Sequence, residues 1–452
     1  MSVPRVLVVG SGFAGFHALR KLEKHLPPEA AETVLVSPTD YLLYSPLLPE
    51  VATGTVSPRN LAVPLRESLP RTRMVLGHVV DVDLEARMVS VRSMEGTRRD
   101  ERYDRLVLTP GSVTRQFDTP GVAEHAHGLK SLVEATYLRD HLLRQLDLAD
   151  ALKRPEDAAE RRARLTVVAV GAGYTGAETV AQVQYLLREV AARWDTVDPD
   201  EVRWVLVDVA DAVLPELGTT LGSKALGYLR GRGVEVRLST GVARATDTEV
   251  ELTDGTVVPT YTLLWGAGVA PSPLVARLGL PTVRGRLVVD TQLQVPGCEH
   301  VWAGGDAAAV PDVTKKPGPD GQRPATAMTA QHAQRHGFLL ARNVAASLGH
   351  GTAKAYKHRD LGLVADFGGT AAVAKPLGIP LTGVPAKVVT KGYHLLALPS
   401  MSNRVRVASD WLLRAALPAQ VVQLSQVPDR EATIARAQST HVYDEDPAAE
   451  PI

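Results

Sequence analysis

Arg5-Val-Leu-Val-Val9 runs into Gly10-Ser-Gly12-Phe-Ala-Gly15, and Leu165-Thr-Val-Val-Ala-Val170 runs into Gly171-Ala-Gly173-Tyr-Thr-Gly176. In both places a β-branched strand run meets a glycine turn and then a helix-like stretch, the context in which G-x-G-x-x-G cradles a pyrophosphate. The first glycine permits the tight turn and the second lets the backbone approach the phosphates. The third lets helix and strand pack closely, so that phosphate charge meets the helix N-terminus. One such turn is compatible with a chance glycine loop; two in the same context predict an α/β chain with two Rossmann-like units.

Outward from the turns, residues 3 to about 112 read as strand, turn, helix (Phe13 to His25), strand (Thr33 to Val36) and irregular segments ending in Arg105-Leu-Val-Leu-Thr-Pro-Gly111. A charged helical linker follows from Leu132 to Arg164, and its Arg161-Arg-Ala-Arg164 run reads as a solvated helix face. The second unit repeats the layout, with a helix to about Arg193, a strand Val202 to Val207, a helix Gly222 to Arg232 and a strand Val234 to Leu238. Leu287-Val-Val-Asp290 and Val301-Trp-Ala-Gly-Gly-Asp306 then return to the first unit's style, the order expected if the second unit is inserted in the first. The predicted boundaries are 1–130, 131–285, 286–353 and 354–452.

At 452 residues and 45% apolar content the chain suits two or three domains with substantial cores. Lys+Arg and Asp+Glu stand at 50 each, so no global charge argues for nucleic acid. Cys298 is alone, which excludes an internal disulfide and any CxxC redox pair. The N-terminus reads as a strand rather than a leader, and no run reaches the roughly 18 to 20 apolar residues that span a bilayer. The expectation is a cytoplasmic protein, with attachment to the inner face of the cell membrane left open. From Lys375 to Arg414 six basic residues face one acid, whereas the tail from Pro428 carries six acids against two arginines and is expected to fray.

Val205-Leu-Val-Asp208 ends a strand with a carboxylate that can accept from both ribose hydroxyls and repel a 2′-phosphate, which favours NADH over NADPH. Its distance from the turn exceeds the usual ~20 residues, so an insertion is expected around Trp194-Asp-Thr-Val-Asp-Pro199. The first unit has Ser37-Pro38 at the matching place, a weaker hydroxyl contact to ribose, which suits a flavin nucleotide held largely through its ring. Glu178 is either a first-turn acid complementing the helix dipole or a residue at the reacting rings. Gly304-Gly305-Asp306 is either a helix cap or an acid placed for a ribityl hydroxyl.

These motifs in order resemble the type II NADH dehydrogenases, non-proton-pumping NADH:quinone oxidoreductases among the two-dinucleotide-binding-domain flavoproteins. The resemblance spans about Val3 to Gln423 and includes Tyr41-Leu-Leu-Tyr-Ser-Pro-Leu-Leu-Pro-Glu-Val-Ala-Thr-Gly54, Ala212-Val-Leu-Pro215 and Trp265-Gly-Ala-Gly-Val269. It implies FAD at Gly10, Gly12, Gly15, Ser37, Val79, Thr109, Gly111, Gly305, Asp306 and Ala330. It implies NADH at Gly171, Gly173, Gly176, Glu178, Asp208 and Gly268, with Pro46 beside the isoalloxazine.

The family's quinone-site helix carries Ala-Gln-x-Ala-x-Gln, matched here by Ala330-Gln331-His-Ala333-Gln-Arg335-His336. Gln331 is kept and Arg335 replaces the second glutamine one turn on. Glu178 and Gln331 are the expected tuners of proton delivery, and Arg335 either binds a quinone carbonyl or marks a changed acceptor. His332 and His336 stand one turn apart, but with no third ligand nearby they read as packing histidines, and no metal is expected. Val384 to Leu398 and Val405 to Leu417 read as amphipathic helices for a membrane surface, with Trp411 and the lysines and arginines at the headgroups, or for a homodimer contact. The main rival is a soluble NADH-dependent flavin oxidoreductase with a non-quinone or biosynthetic acceptor; a non-catalytic flavoprotein that signals through dimerisation is the second.

Overall fold

The computed structural model describes residues 3–319, 321–358 and 360–437. Strand Arg5–Val9 pairs in parallel with Glu32–Ser37 on one side and Arg105–Leu108 on the other. Val6, Leu7 and Val8 are fully buried, sharing one core with Phe16 and Leu19 of the helix after the turn and with Leu287, Val289, Leu293 and Val295. Val301–Ala303 completes one edge and Arg73–Asp83 extends the other, where Met88–Ser93 and Arg98–Arg102 turn antiparallel to give seven strands.

The second sheet has five parallel strands, ordered Ala126–His127, Thr262–Trp265, Thr166–Val170, Arg203–Asp208 and Val234–Leu238. The chain therefore leaves the first sheet, builds the second and returns through Val301–Ala303. This is the expected α/β class, two Rossmann-like units with one set inside the other.

Seven helices of twelve residues or more lie among the described residues: α1 (Phe13–His25), α2 (Leu132–Ala151), α3 (Tyr174–Val190), α4 (Thr219–Arg230), α5 (Ala330–Ser347), α6 (Gly383–Ala397) and α7 (Met401–Ala416). Helices α1 and α3 each start at the second glycine of a turn. Helix α5 lies close against α1 because Gly337 carries no Cβ, which would otherwise run into the Ala14 carbonyl. A small antiparallel sheet, Val364–Asp366, Ala372–Ala374 and Leu381–Thr382, precedes α6.

The structure corrects two expectations. The stretch Leu132 to Arg164 is helical but packs in the core rather than linking two units: α2 opens with a Ser131–Glu134 capping box and buries Leu138, Leu142, Leu143 and Leu146. In the arginine run that follows, Arg161 binds the Ala149 carbonyl and Glu201, and Arg164 binds Glu160 and lies 4.2 Å over the Tyr261 ring.

The acidic tail does not fray where it is described. Ala432 and Ile434 are buried, the Ala432 carbonyl faces His127 Nδ1 at 3.2 Å, and Asp429 pairs with Arg144 at 2.7 Å. The rest of that tail, 438–452, lies outside the described residues. The expected insertion is present as a loop and two 3₁₀ turns, held to α2 by Trp194 on Asp147 and Thr196 on Asp150.

Candidate active site

At the first turn Gly10 has φ +93°, in the left-handed region, and a Cβ there would strike the Thr109 carbonyl. Thr109 Oγ1 donates to the Val9 carbonyl at 2.7 Å and fixes the strand end. A Cβ on Gly15 would meet the Gly10 carbonyl, so helix and turn touch there. Nothing lies within 4 Å of the place a Cβ would take on Gly12 or Gly111. Open backbone at the centre of a closed turn fits a pyrophosphate.

Gly304 N–H donates to the Leu108 carbonyl at 3.1 Å and carries the chain to Gly305 and Asp306. Asp306 is not a helix cap; that place belongs to Gly304. Its Oδ2 accepts from Ser112 Oγ at 2.6 Å, and Ser112 in turn accepts from the half-buried Lys130 at 3.0 Å. Burial lowers Lys130 below the ordinary lysine range, with Asp306 and Glu134 pulling it back. Gly305 stands against Ala14 and Ala333, so the Asp306 turn meets the starts of α1 and α5, where Ala330 is the first residue.

Ser37 is 1% exposed and shares its hydroxyl with Ser11 Oγ at 2.7 Å and the Thr39 carbonyl at 2.8 Å. It thereby shapes the loop beside the turn. Val79 lies in strand Arg73–Asp83, opposite Val91. Pro46 is the second residue of the 3₁₀ turn Ser45–Leu47 after Tyr44, whose ring meets Phe13 edge-on at 5.8 Å.

The second turn repeats the construction. Gly171 has φ +102°, a Cβ on Gly176 would strike the Gly171 carbonyl, and the space before Gly173 and Gly268 is open. Asp208 receives the Ala172 N–H at 2.5 Å and the Ala210 N–H at 2.8 Å, so its carboxylate stands at the rim of the cradle.

Glu178, on α3, receives the Asp366 N–H at 2.5 Å. Burial pushes its carboxyl up to about 8, the charges of Asp366 and Glu50 adding to the rise and Lys387 opposing it. Asp366 Oδ1 is 2.5 Å from Lys387 Nζ, and that ammonium with Lys391 holds Asp366 below the usual carboxylate range against its burial. Glu50, 3% exposed, accepts from Lys391 Nζ at 2.5 Å and from Trp411 Nε1 at 2.5 Å. Three carboxyls meet two ammoniums, and a proton on Glu178 balances the charge.

Glu50, Asp366, Lys387 and Lys391 are the site residues that sequence reasoning missed. Trp411 and these lysines do not sit at headgroups; they turn inward onto Glu50 and Asp366. The available signal was the isolation of each charge in an apolar run, with 387 and 391 four apart on one helix face.

Gln331 Nε2 donates to the Gly362 carbonyl at 2.9 Å, and its side chain also reaches Tyr393 of α6. Arg335 faces Tyr393, Tyr356 and His332; burial raises the two phenols and lowers the imidazole, and the Arg335 charge pulls each of the three down. His336 is 1% exposed and accepts the Gly305 N–H on Nδ1 at 3.2 Å, while His332 Nδ1 meets the Tyr356 hydroxyl at 2.8 Å. Among the described residues no group of three or more His, Cys, Asp or Glu is placed to hold a metal.

Two glycine cradles at the ends of parallel strands in two sheets, with one cysteine and so no thiol pair, define a two-dinucleotide oxidoreductase whose electrons take no disulfide relay. The profile of the pyridine nucleotide-disulphide oxidoreductase family matches residues 4–337. The type II NADH:quinone oxidoreductase Ndh of Mycobacterium tuberculosis is 32% identical over 428 residues, covering 90% of this chain and 87% of that one. The Staphylococcus aureus type II enzyme is 27% identical over 393 residues, covering 86% and 93%. The NDH2 structure from Plasmodium falciparum, solved in complex with NADH, superposes with a TM-score of 0.85 at 18% identity, over 93% of this chain and all of that one. The chain belongs to the pyridine nucleotide-disulphide oxidoreductases and, within them, to the type II NADH:quinone oxidoreductases.

Proposed function

We propose that the protein is an FAD-dependent NADH dehydrogenase that takes a hydride from NADH and passes two electrons to a quinone. The observation that carries the reading is the pair of cradles with Glu178, on the helix of the second, meeting Asp366 and Glu50 in one acid cluster. FAD, when bound, supplies the chemistry, accepting the hydride and returning two electrons. Gly10, Gly12 and Gly15 would hold its pyrophosphate, with Asp306 at the ribityl chain, Thr109, Gly111, Val79, Gly305 and Ala330 around it, and Ser37 acting through Ser11. Gly171, Gly173, Gly176 and Gly268 would hold NADH, with Asp208 on its ribose, and Pro46 would line the reacting face.

Quinone reduction consumes two electrons and two protons, of which NADH brings one proton with the hydride. Glu178, whose carboxyl burial pushes up to about 8, would hold the second, and Gln331 with Arg335 would meet a quinone oxygen. Arg335 and His336, which depart from the family pattern that the sequence resembles, and the weakly apolar anchor are the features that favour a different acceptor.

On this reading residues 1–130 and 286–353 form the FAD domain, except that Ala126–His127 pair with Thr262–Trp265 in the second sheet, with 131–285 the NADH domain and 354–452 a C-terminal region. No helix among the described residues is long and apolar enough to cross a membrane. Helix α6 exposes Val384, Val388 and Leu396, and α7 exposes Met401, Val405 and Leu412. These stripes support attachment to a membrane surface, with a homodimer contact as the other outcome.

Stopped-flow absorbance of the flavin tests the whole: NADH should bleach it quickly and menadione should restore it quickly. Fast bleaching with recovery only from oxygen or another acceptor would move the protein to a different oxidation.

A further inference from the structure

A cleft of about 230 Å³ opens between α1, α5 and the junction of α6 with α7, away from both cradles. Arg20, Lys21 and Lys24 enter it from α1 and Arg404 from α7, and Phe338 and Leu396 form its apolar wall. Among the described residues none of the four cations has an ion-pair partner. Glu23, the acid beside them in sequence, is turned away to receive the Arg71 N–H and the Thr72 hydroxyl.

Three of the four cations are held in place. Arg20 donates to the Pro399 carbonyl at 3.0 Å, and Arg404 donates to the Leu398 and Leu396 carbonyls, each at 2.7 Å. Lys21 Nζ stands 5.4 Å over the Phe338 ring. At the base His17 is 4% exposed; burial, reinforced by Arg20 and Lys21, lowers its imidazole to about 3, so it stays neutral. Four positive groups around an open cavity call for an anion.

The wall says what kind of anion. Val384, Val388, Gly392 and Leu396 follow one another at intervals of four along α6 and all are exposed, Leu396 to 73%. That ridge ends in the cleft, with Leu396 shared by both. A small free anion would satisfy the cations and leave the ridge bare, whereas a lipid occupies both.

We propose that this cleft binds the phosphate headgroup of an anionic phospholipid, whose acyl chains lie along the α6 ridge. The proposal rests on the reading of α6 and α7 as membrane-facing. It gives the protein a preference for negatively charged bilayers on top of general apolar attachment.

Vesicle flotation of the flavin-loaded protein tests it, with phosphatidylcholine alone and with equal parts phosphatidylcholine and phosphatidylglycerol. The wild type should favour the anionic vesicles at least tenfold, and less so as salt rises. Each lysine near a charged surface is worth about a fivefold change in partition, so K21Q/K24Q should lose about twentyfold on anionic vesicles. It should keep its binding to phosphatidylcholine and its NADH:menadione rate in vesicle-free buffer.

K315Q/K316Q, the same charge change elsewhere, should keep the preference. Equal loss in both lysine pairs, or full preference in K21Q/K24Q, overturns the proposal. So does a melting-temperature rise of the wild type with millimolar inorganic phosphate that K21Q/K24Q lacks, if no vesicle preference accompanies it, because the cleft would then serve a free anion. V388E/L412E separates the underlying reading: it should abolish binding to both vesicle types, and unchanged binding would remove the membrane-facing assignment itself.

Discussion

The backbone N–H of Asp366 donates to the Glu178 carboxylate at 2.5 Å, joining the helix of the second glycine turn to the sheet that precedes α6. A backbone donor favours a charged carboxylate, yet burial and the neighbouring acids win and push Glu178 up to about 8. The proton that balances the cluster therefore sits beside the second cradle.

Between the ordinary glutamate value of 4.5 and about 8, folded Glu178 holds a proton that the unfolded chain has released. Its contribution to stability is complete below 4.5 and is lost as pH rises through 8. E178Q should remove that slope, so that its melting temperature gains on the wild type from pH 5 to pH 9. The alkaline limb of quinone reduction near pH 8 should disappear with it. Parallel melting curves and an unchanged limb would take the proton away from Glu178.

Asp208 binds two backbone N–H groups at the cradle rim and faces the proposed ribose. D208A should raise the KM for NADH about tenfold or more, the scale of a lost hydrogen bond to a charged group, and narrow the gap to NADPH. Steady-state kinetics with both nucleotides decide it; equal KM values before and after would end the ribose assignment.

Lys391 and Trp411 are the donors on Glu50 in the apolar interior. K391M should destabilise the fold by about 3–5 kcal/mol, because a buried carboxylate is left without its ammonium. The double variant E50Q/K391M should recover more than half of the loss. Denaturant unfolding of the four proteins gives the coupling, and simple additivity would show that the pair is not a unit.

His336 accepts the Gly305 N–H on Nδ1, and burial, with His332 and Arg286 beside it, holds the imidazole well below its usual range. H336F leaves that N–H unsatisfied at a cost of about 1–3 kcal/mol. The loss should appear as weaker FAD retention, about ten- to a hundredfold, in titrations of flavin into the apoprotein. FAD affinity equal to wild type would free the Asp306 turn from dependence on His336.

Local features were legible in the sequence because their causes are local. The helix Phe13–His25 and the strand Val234–Leu238 stand where glycine turns and β-branched runs put them. Asp208 could be placed because a strand end fixes it. The acid cluster could not be read, since Glu50, Glu178, Asp366 and Lys391 come from four separate parts of the chain and no spacing links them. Arg161 and Arg164 misled for a related reason: a charge run looks solvated until distant carbonyls, Glu201 and Tyr261 close over it.

After α7 the chain does not stay with α6 and α7. Arg139 holds the Gln420 and Val422 carbonyls at 2.8 Å, Asp140 receives the Leu424 and Ser425 N–H groups, and Ile434 ends buried among Val122, Val168 and Trp265 beside the second sheet. A reporter or affinity handle fused after Ala437 would thus emerge from the five-stranded-sheet side. The Val384–Leu396 ridge would remain unencumbered, so a chain ended at Ala437 can be immobilised through that residue with the ridge left free.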